Sequence, residues 1–75
     1  MEEILKEFIE EFAPVRKEVP FIDNNFIKLR TEFIGSALLD IAMPVIKKHK
    51  LLWVVQMSVD KTNLELLIYS PKWKQ

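Results

Sequence analysis

The run Phe33-Ile34-Gly35-Ser36-Ala37-Leu38-Leu39-Asp40-Ile41-Ala42-Met43-Pro44-Val45-Ile46 holds a single charge, Asp40, in fourteen residues. It reads as a helix that is apolar on more than one face, so something must cover it on at least two sides. Because it is shorter than the roughly 18 residues of a membrane span, it reads as a buried or interface helix. Thr31 suits an N-cap and Glu32 a first turn, which predicts a helix from there to about Lys48. Pro44 removes one backbone hydrogen bond from that helix. The expectation is a kink near Asp40, or a break with Pro44 in the first turn of a second short helix. Gly35, Ser36 and Ala37 form a small-residue patch that reads as the crossing point of another helix, within the chain or between subunits.

The rest of the chain supplies the cover. Ile4, Leu5, Phe8, Ile9 and Phe12 fall along one side of a helix over about residues 2–13, which Pro14 ends. Residues 14–25, with two prolines and Asp23-Asn24-Asn25, read as a connection pinned by Phe21 and Ile22. Residues 26–30 alternate, with Phe26, Lys28 and Arg30 on one side and Ile27 and Leu29 on the other, so they allow a third short strand. Leu51 to Val59 and Leu64 to Ser70 read as a hairpin around Asp60-Lys61-Thr62-Asn63. Pairing Val59 with Leu64 sets Met57 opposite Leu66, Val55 opposite Ile68 and Trp53 opposite Ser70. The face Trp53, Val55, Met57, Val59, Leu64, Leu66, Ile68 is then the one to lie on the central helix. The resulting fold class is α+β, two helices packed on a C-terminal antiparallel β-hairpin, as one domain over residues 1–75.

A two-stranded hairpin is marginal alone, and its outer edge is an open pairing template. Leu52, Val54, Leu67 and Tyr69 on the second face are too apolar to be simply solvated, and Met43 and Val45 are spare on the helix. These six are the candidate interface residues. They point to self-association or to docking on another protein.

Several function classes are disfavoured. Seventy-five residues leave little room for both a core and an internal active site, and the absence of cysteine removes disulfides and thiolate metal sites. His49 is the one imidazole, Ser36, Ser58 and Ser70 lack elbow glycines, and no phosphate-binding glycine loop occurs. The chain therefore reads as non-enzymatic, with no cofactor, metal or small-molecule substrate. Eleven basic and eleven acidic side chains cancel, giving no overall pull toward nucleic acid or membrane. The start Met-Glu-Glu lacks a signal-peptide pattern, so a cytoplasmic protein is expected. Cations and aromatics nonetheless mix near the hairpin: Trp53, Tyr69 and Trp73 with Lys50, Lys72 and Lys74, a pairing of residue types that single-strand binders use.

Residues 25–51 carry a family resemblance. Asn25-Phe26-Ile27-Lys28-Leu29-Arg30-Thr31-Glu32-Phe33, followed by Pro44-Val45-Ile46-Lys47-Lys48-His49-Lys50-Leu51, resembles the N-terminal part of the ERF-type phage single-strand annealing proteins. Lys50 stands where that family usually has glycine. The resemblance implies single-stranded DNA binding with ring-like or filament-like assembly, and Lys28, Arg30, Lys47 and Lys48 as cationic contacts, with Lys50 beside them. Two expectations follow: an interaction or oligomerisation module, in phage or mobile-element DNA metabolism, and alternatively an ERF-like DNA-binding and annealing protein.

Overall fold

The computed structural model describes residues 1–73. It consists of α1 (Glu2–Phe12), β1 (Phe21–Asp23), β2 (Phe26–Thr31), α2 (Ser36–Lys48), β3 (Leu52–Met57) and β4 (Leu64–Tyr69). The strands form one antiparallel sheet in the order β1-β2-β4-β3. The fold is α+β, as the patterning predicts. The hairpin does not stand alone, however: a second hairpin, β1-β2, joins it through the central β2-β4 pair.

Its first strand, β1, falls inside residues 14–25, which the sequence presents as a connection, and its second is the short strand allowed at 26–30. The turn of this second hairpin is Asn24-Asn25, both with positive φ (51° and 65°), the backbone of a two-residue hairpin turn that asparagine tolerates and most residues resist. Phe21, Ile22 and Asp23 then pair with Lys28, Ile27 and Phe26. The alternation expected for residues 26–30 holds: Ile27, Leu29 and Thr31 are buried, whereas Phe26, Lys28 and Arg30 line the opposite face.

Thr31 is not a helix cap. It is the last residue of β2, and its hydroxyl donates to Glu18 (3.2 Å) while accepting from Arg16 (2.6 Å), tying the strand to the α1-β1 connection. Helix α2 therefore starts later, with Gly35 as N-cap in extended backbone. The small-residue patch does not receive a helix. Ser36 and Ala37 are exposed, and the Phe33 ring occupies the space at Gly35, where a Cβ would come within 2.6 Å of Phe33 Cε1. The helix runs unbroken through Pro44. Asp40 and Pro44 both lie on its exposed side, so water can hydrate the carbonyl that proline leaves without a donor.

Leu38, Ala42, Val45 and Ile46 form the buried stripe of α2, at i, i+4, i+7 and i+8. With Phe8 and Phe12 of α1, Ile27 and Leu29 of β2, Leu66 and Ile68 of β4, and Leu51, they make the core. The core thus sits over the two central strands, and β3 contributes nothing to it. The C-terminus of α2 closes in a Schellman motif: Leu51 N–H donates to the Ile46 carbonyl (2.9 Å) and Lys50 N–H to that of Lys47 (3.3 Å). Lys50 occupies the left-handed position (φ 54°) that glycine usually fills. Glu7 of α1 clasps the same end of α2, accepting from Lys48 Nζ at 2.8 Å and lying 2.7 Å from His49 Nε2. Hydrogen bonds from Lys48 and then His49 lower the Glu7 pKa. No helix among the described residues is long and apolar enough to cross a membrane.

Candidate functional site

Strand β3, Leu52-Trp53-Val54-Val55-Gln56-Met57, is the edge of the sheet, and all six residues are exposed. The apolar ones remain 38–57% accessible. Trp53, Val55 and Met57 pair with Ile68, Leu66 and Leu64, which places them on the same face as the core. They were expected beneath the central helix. The correction is that the helical layer covers β2 and β4 and stops short of β3; Val59 is fully exposed in the following loop.

The hairpin register also differs from expectation. Met57, not Val59, pairs with Leu64, so every pairing is shifted by two residues. A two-residue shift keeps each side chain on its face. The cause is in the loop: Ser58 Oγ bonds Asp60, whose carboxylate also accepts the Thr62 N–H (3.1 Å), and Lys61 takes positive φ (60°). This closes residues 58–63 as a connection two residues longer than the expected four. The Ser58 and Thr62 hydrogen bonds lower the Asp60 pKa to about 2.

The ladder fixes which backbone groups of β3 are free. Ser58 N–H donates to the Asn63 carbonyl at 2.9 Å, in register with Met57–Leu64. Hydrogen-bonded and non-bonded pairs alternate in antiparallel sheet. Gln56, Val54 and Leu52 therefore direct their backbone groups to β4, whereas Trp53, Val55 and Met57 aim N–H and C=O outward. Continued across the sheet, the same alternation turns Phe21 and Asp23 of β1 toward β2 and leaves Ile22 outward.

The outer face of the sheet combines apolar and charged rows. Glu65, only 3% exposed, accepts from Arg30 Nη2 (2.8 Å) and Nε (3.0 Å) and from Gln56 Nε2 (3.0 Å), linking β2, β4 and β3 in one row. Those hydrogen bonds, from Gln56 first and Arg30 next, hold its pKa below the ordinary glutamate value. Lys28 donates to Asp23 at 2.8 Å. Phe26 and Tyr69 meet edge to face at 5.5 Å, and Arg30 lies 5.4 Å from the Phe21 ring centre.

The candidate residues therefore separate. Of the interface set, Leu52 and Val54 are exposed on β3 and Tyr69 is half-buried beside Leu52. Leu67 is buried between Lys28 and Val54, Val45 is a core residue, and Met43 packs half-buried against the core; the α2 portion of the expected interface is thus largely internal. Of the cations, Lys28 and Arg30 sit on the outer sheet face, each bound to a carboxylate, while Lys47, Lys48 and Lys50 cluster at the end of α2. They form no single track. Trp73 packs back on the core, and Lys74 lies outside the described residues. Among the described residues no three His, Cys, Asp or Glu side chains gather as a metal site. Sequence reasoning missed the exposure of Trp53, Val55 and Met57 on the sheet edge; the signal was the continuous apolarity of Leu52 to Val55.

Compared with protein-family models, curated proteins and solved structures, the chain matches none of them.

Proposed function

We propose that this chain is a small non-enzymatic protein-interaction and oligomerisation module that adds a strand along β3. One observation carries the reading: an edge strand of six residues, without charge, proline or bulge, exposing apolar side chains on both faces. Natural sheets blunt their edges with such devices, and an edge without them is a template for strand addition. The expected result is capture of a defined polypeptide by the immobilised chain, or a solution mass above 8.9 kDa by light scattering, either one abolished by Val55→Lys. A monomer that captures nothing would refute the reading.

Single-stranded DNA binding is the alternative, and one observation favours it. Phe21, Phe26 and Tyr69 share the outer sheet face with Lys28 and Arg30, aromatics beside cations on an uncovered sheet. The left-handed backbone at Lys50 also gives a physical reason for glycine in the ERF-type pattern, which keeps phage or mobile-element DNA metabolism as the proposed setting. This alternative expects a band shift at low salt that weakens steeply as salt rises and weakens further in the Lys28→Gln, Arg30→Gln double variant, which removes the cations of that face. Absence of a shift at low salt would refute it.

A further inference from the structure

We infer that the strand added to β3 is β3 of a second copy, antiparallel and related by a twofold axis at Val55. The inference rests on the interaction reading above and names its partner. Two antiparallel strands of one sheet can be related only by a twofold perpendicular to that sheet, which passes where a residue faces its own copy. Such a register sets Val55 opposite the partner's Val55, Trp53 opposite the partner's Met57 and Met57 opposite the partner's Trp53. All three are the residues whose backbone groups aim outward, and each pair exchanges two bonds, so three pairs give six backbone hydrogen bonds. A twofold at Val54 would pair Trp53 with Val55 twice, for four bonds, and would leave Met57 facing a residue before the strand. The open edge is therefore most completely satisfied by its own copy at Val55.

The side chains agree with that register. On the helix-side face, Trp53 (40% exposed) meets a methionine (57% exposed) on each side of a central valine pair, giving two sulfur–aromatic contacts and closing the apolar strip that the helices leave uncovered. No charged side chain lies in β3, and the chain's net charge is zero, so nothing repels the second copy. Two strands of this length with their flanking side chains bury on the order of 1,000 Å², the lower bound for a specific interface. The dimer is accordingly a concentration-dependent one, with a continuous eight-stranded sheet and both helical layers on one side.

Sedimentation equilibrium from roughly 1 μM to 1 mM, the range in which such an interface dissociates, tests it. The wild-type mass should rise from 8.9 kDa toward twice that value, and Val55→Lys, which sets two ammonium groups against each other at the axis, should hold it at 8.9 kDa with an unchanged circular dichroism spectrum. As a second measurement, Val55→Cys in this cysteine-free chain should cross-link to the doubled mass on mild oxidation, whereas Val54→Cys should not. A wild type that stays at 8.9 kDa throughout, or cross-linking through position 54 and not 55, overturns the inference. If the monomeric chain still captures another polypeptide through β3, self-pairing alone has failed; if it captures none, the interaction reading fails with it.

Discussion

The two edges of the sheet are built in opposite ways. β1 is three residues long, is preceded by Pro20, and leaves Ile22 as its one outward-directed residue. Its Asp23 is bridged to Lys28 on β2. A short edge strand, a flanking proline and a charged side chain on the edge are known means of preventing edge-to-edge pairing. β3 is twice as long and aims the backbone groups of Trp53, Val55 and Met57 outward, with apolar side chains above and below. One edge is guarded and the other is left open, so the chain presents one direction for sheet extension. Both edges flank the same β2-β4 pair.

The largest effect that sharpens this contrast comes from proline placement within β3. Val54→Pro deletes an N–H directed at β4 and should cost roughly 2–3 kcal/mol, because it also orphans a sheltered carbonyl. Val55→Pro deletes an outward N–H and should cost under about 1 kcal/mol. Urea unfolding of the two dilute variants measures the difference; equal losses would mean that the inward and outward assignments are wrong. A smaller effect is expected at the guarded edge. Asn25→Val forces a β-branched residue into left-handed backbone and should destabilise by about 1–2 kcal/mol, with loss of β1 pairing visible in the amides of Phe21 and Asp23.

The most gradual effect is that of acid. Glu65 and Asp60, both in the β3-β4 hairpin, have folded pKa values below their unfolded ones, Asp60 near 2 against 3.8. A depressed carboxylate pKa gives stability that is complete above the unfolded value and is lost as pH falls through the folded one. On the acid side, urea midpoints should therefore fall from about 4.5 as Glu65, Glu7 and Glu18 protonate, and continue to fall toward pH 2 with Asp60. Glu65→Gln should flatten the upper part of that decline. If it leaves the profile unchanged, the Arg30–Glu65–Gln56 row contributes nothing to holding β3 in place.

Much of the fold was legible because it depends on periodicity. The five apolar positions of α1, the alternation of β2 and the hairpin strands all follow from spacing alone. What escaped depended on local backbone chemistry or on neighbours. β1 is too short to show a period, and its sign was the Asn24-Asn25 pair. The hairpin register turned on side-chain bonds of Ser58 and Asp60 within the loop. Thr31 and Glu32 look like a helix start, but the burial of Thr31 against Arg16 and Glu18 keeps it in the sheet. The site was misread for a related reason: a continuous run such as Leu52-Trp53-Val54-Val55 normally means a strand covered on both faces. Here that burial is absent within one chain, and the run is an exposed edge strand.

Amide exchange along β3 as a function of protein concentration tests this account most directly. In dilute solution Val54 and Gln56 should be protected by β4 while Trp53, Val55 and Met57 exchange quickly; at high concentration the latter three should become protected together. Protection that does not alternate along the strand in dilute solution, or rapid exchange at 53, 55 and 57 at every concentration, would contradict it.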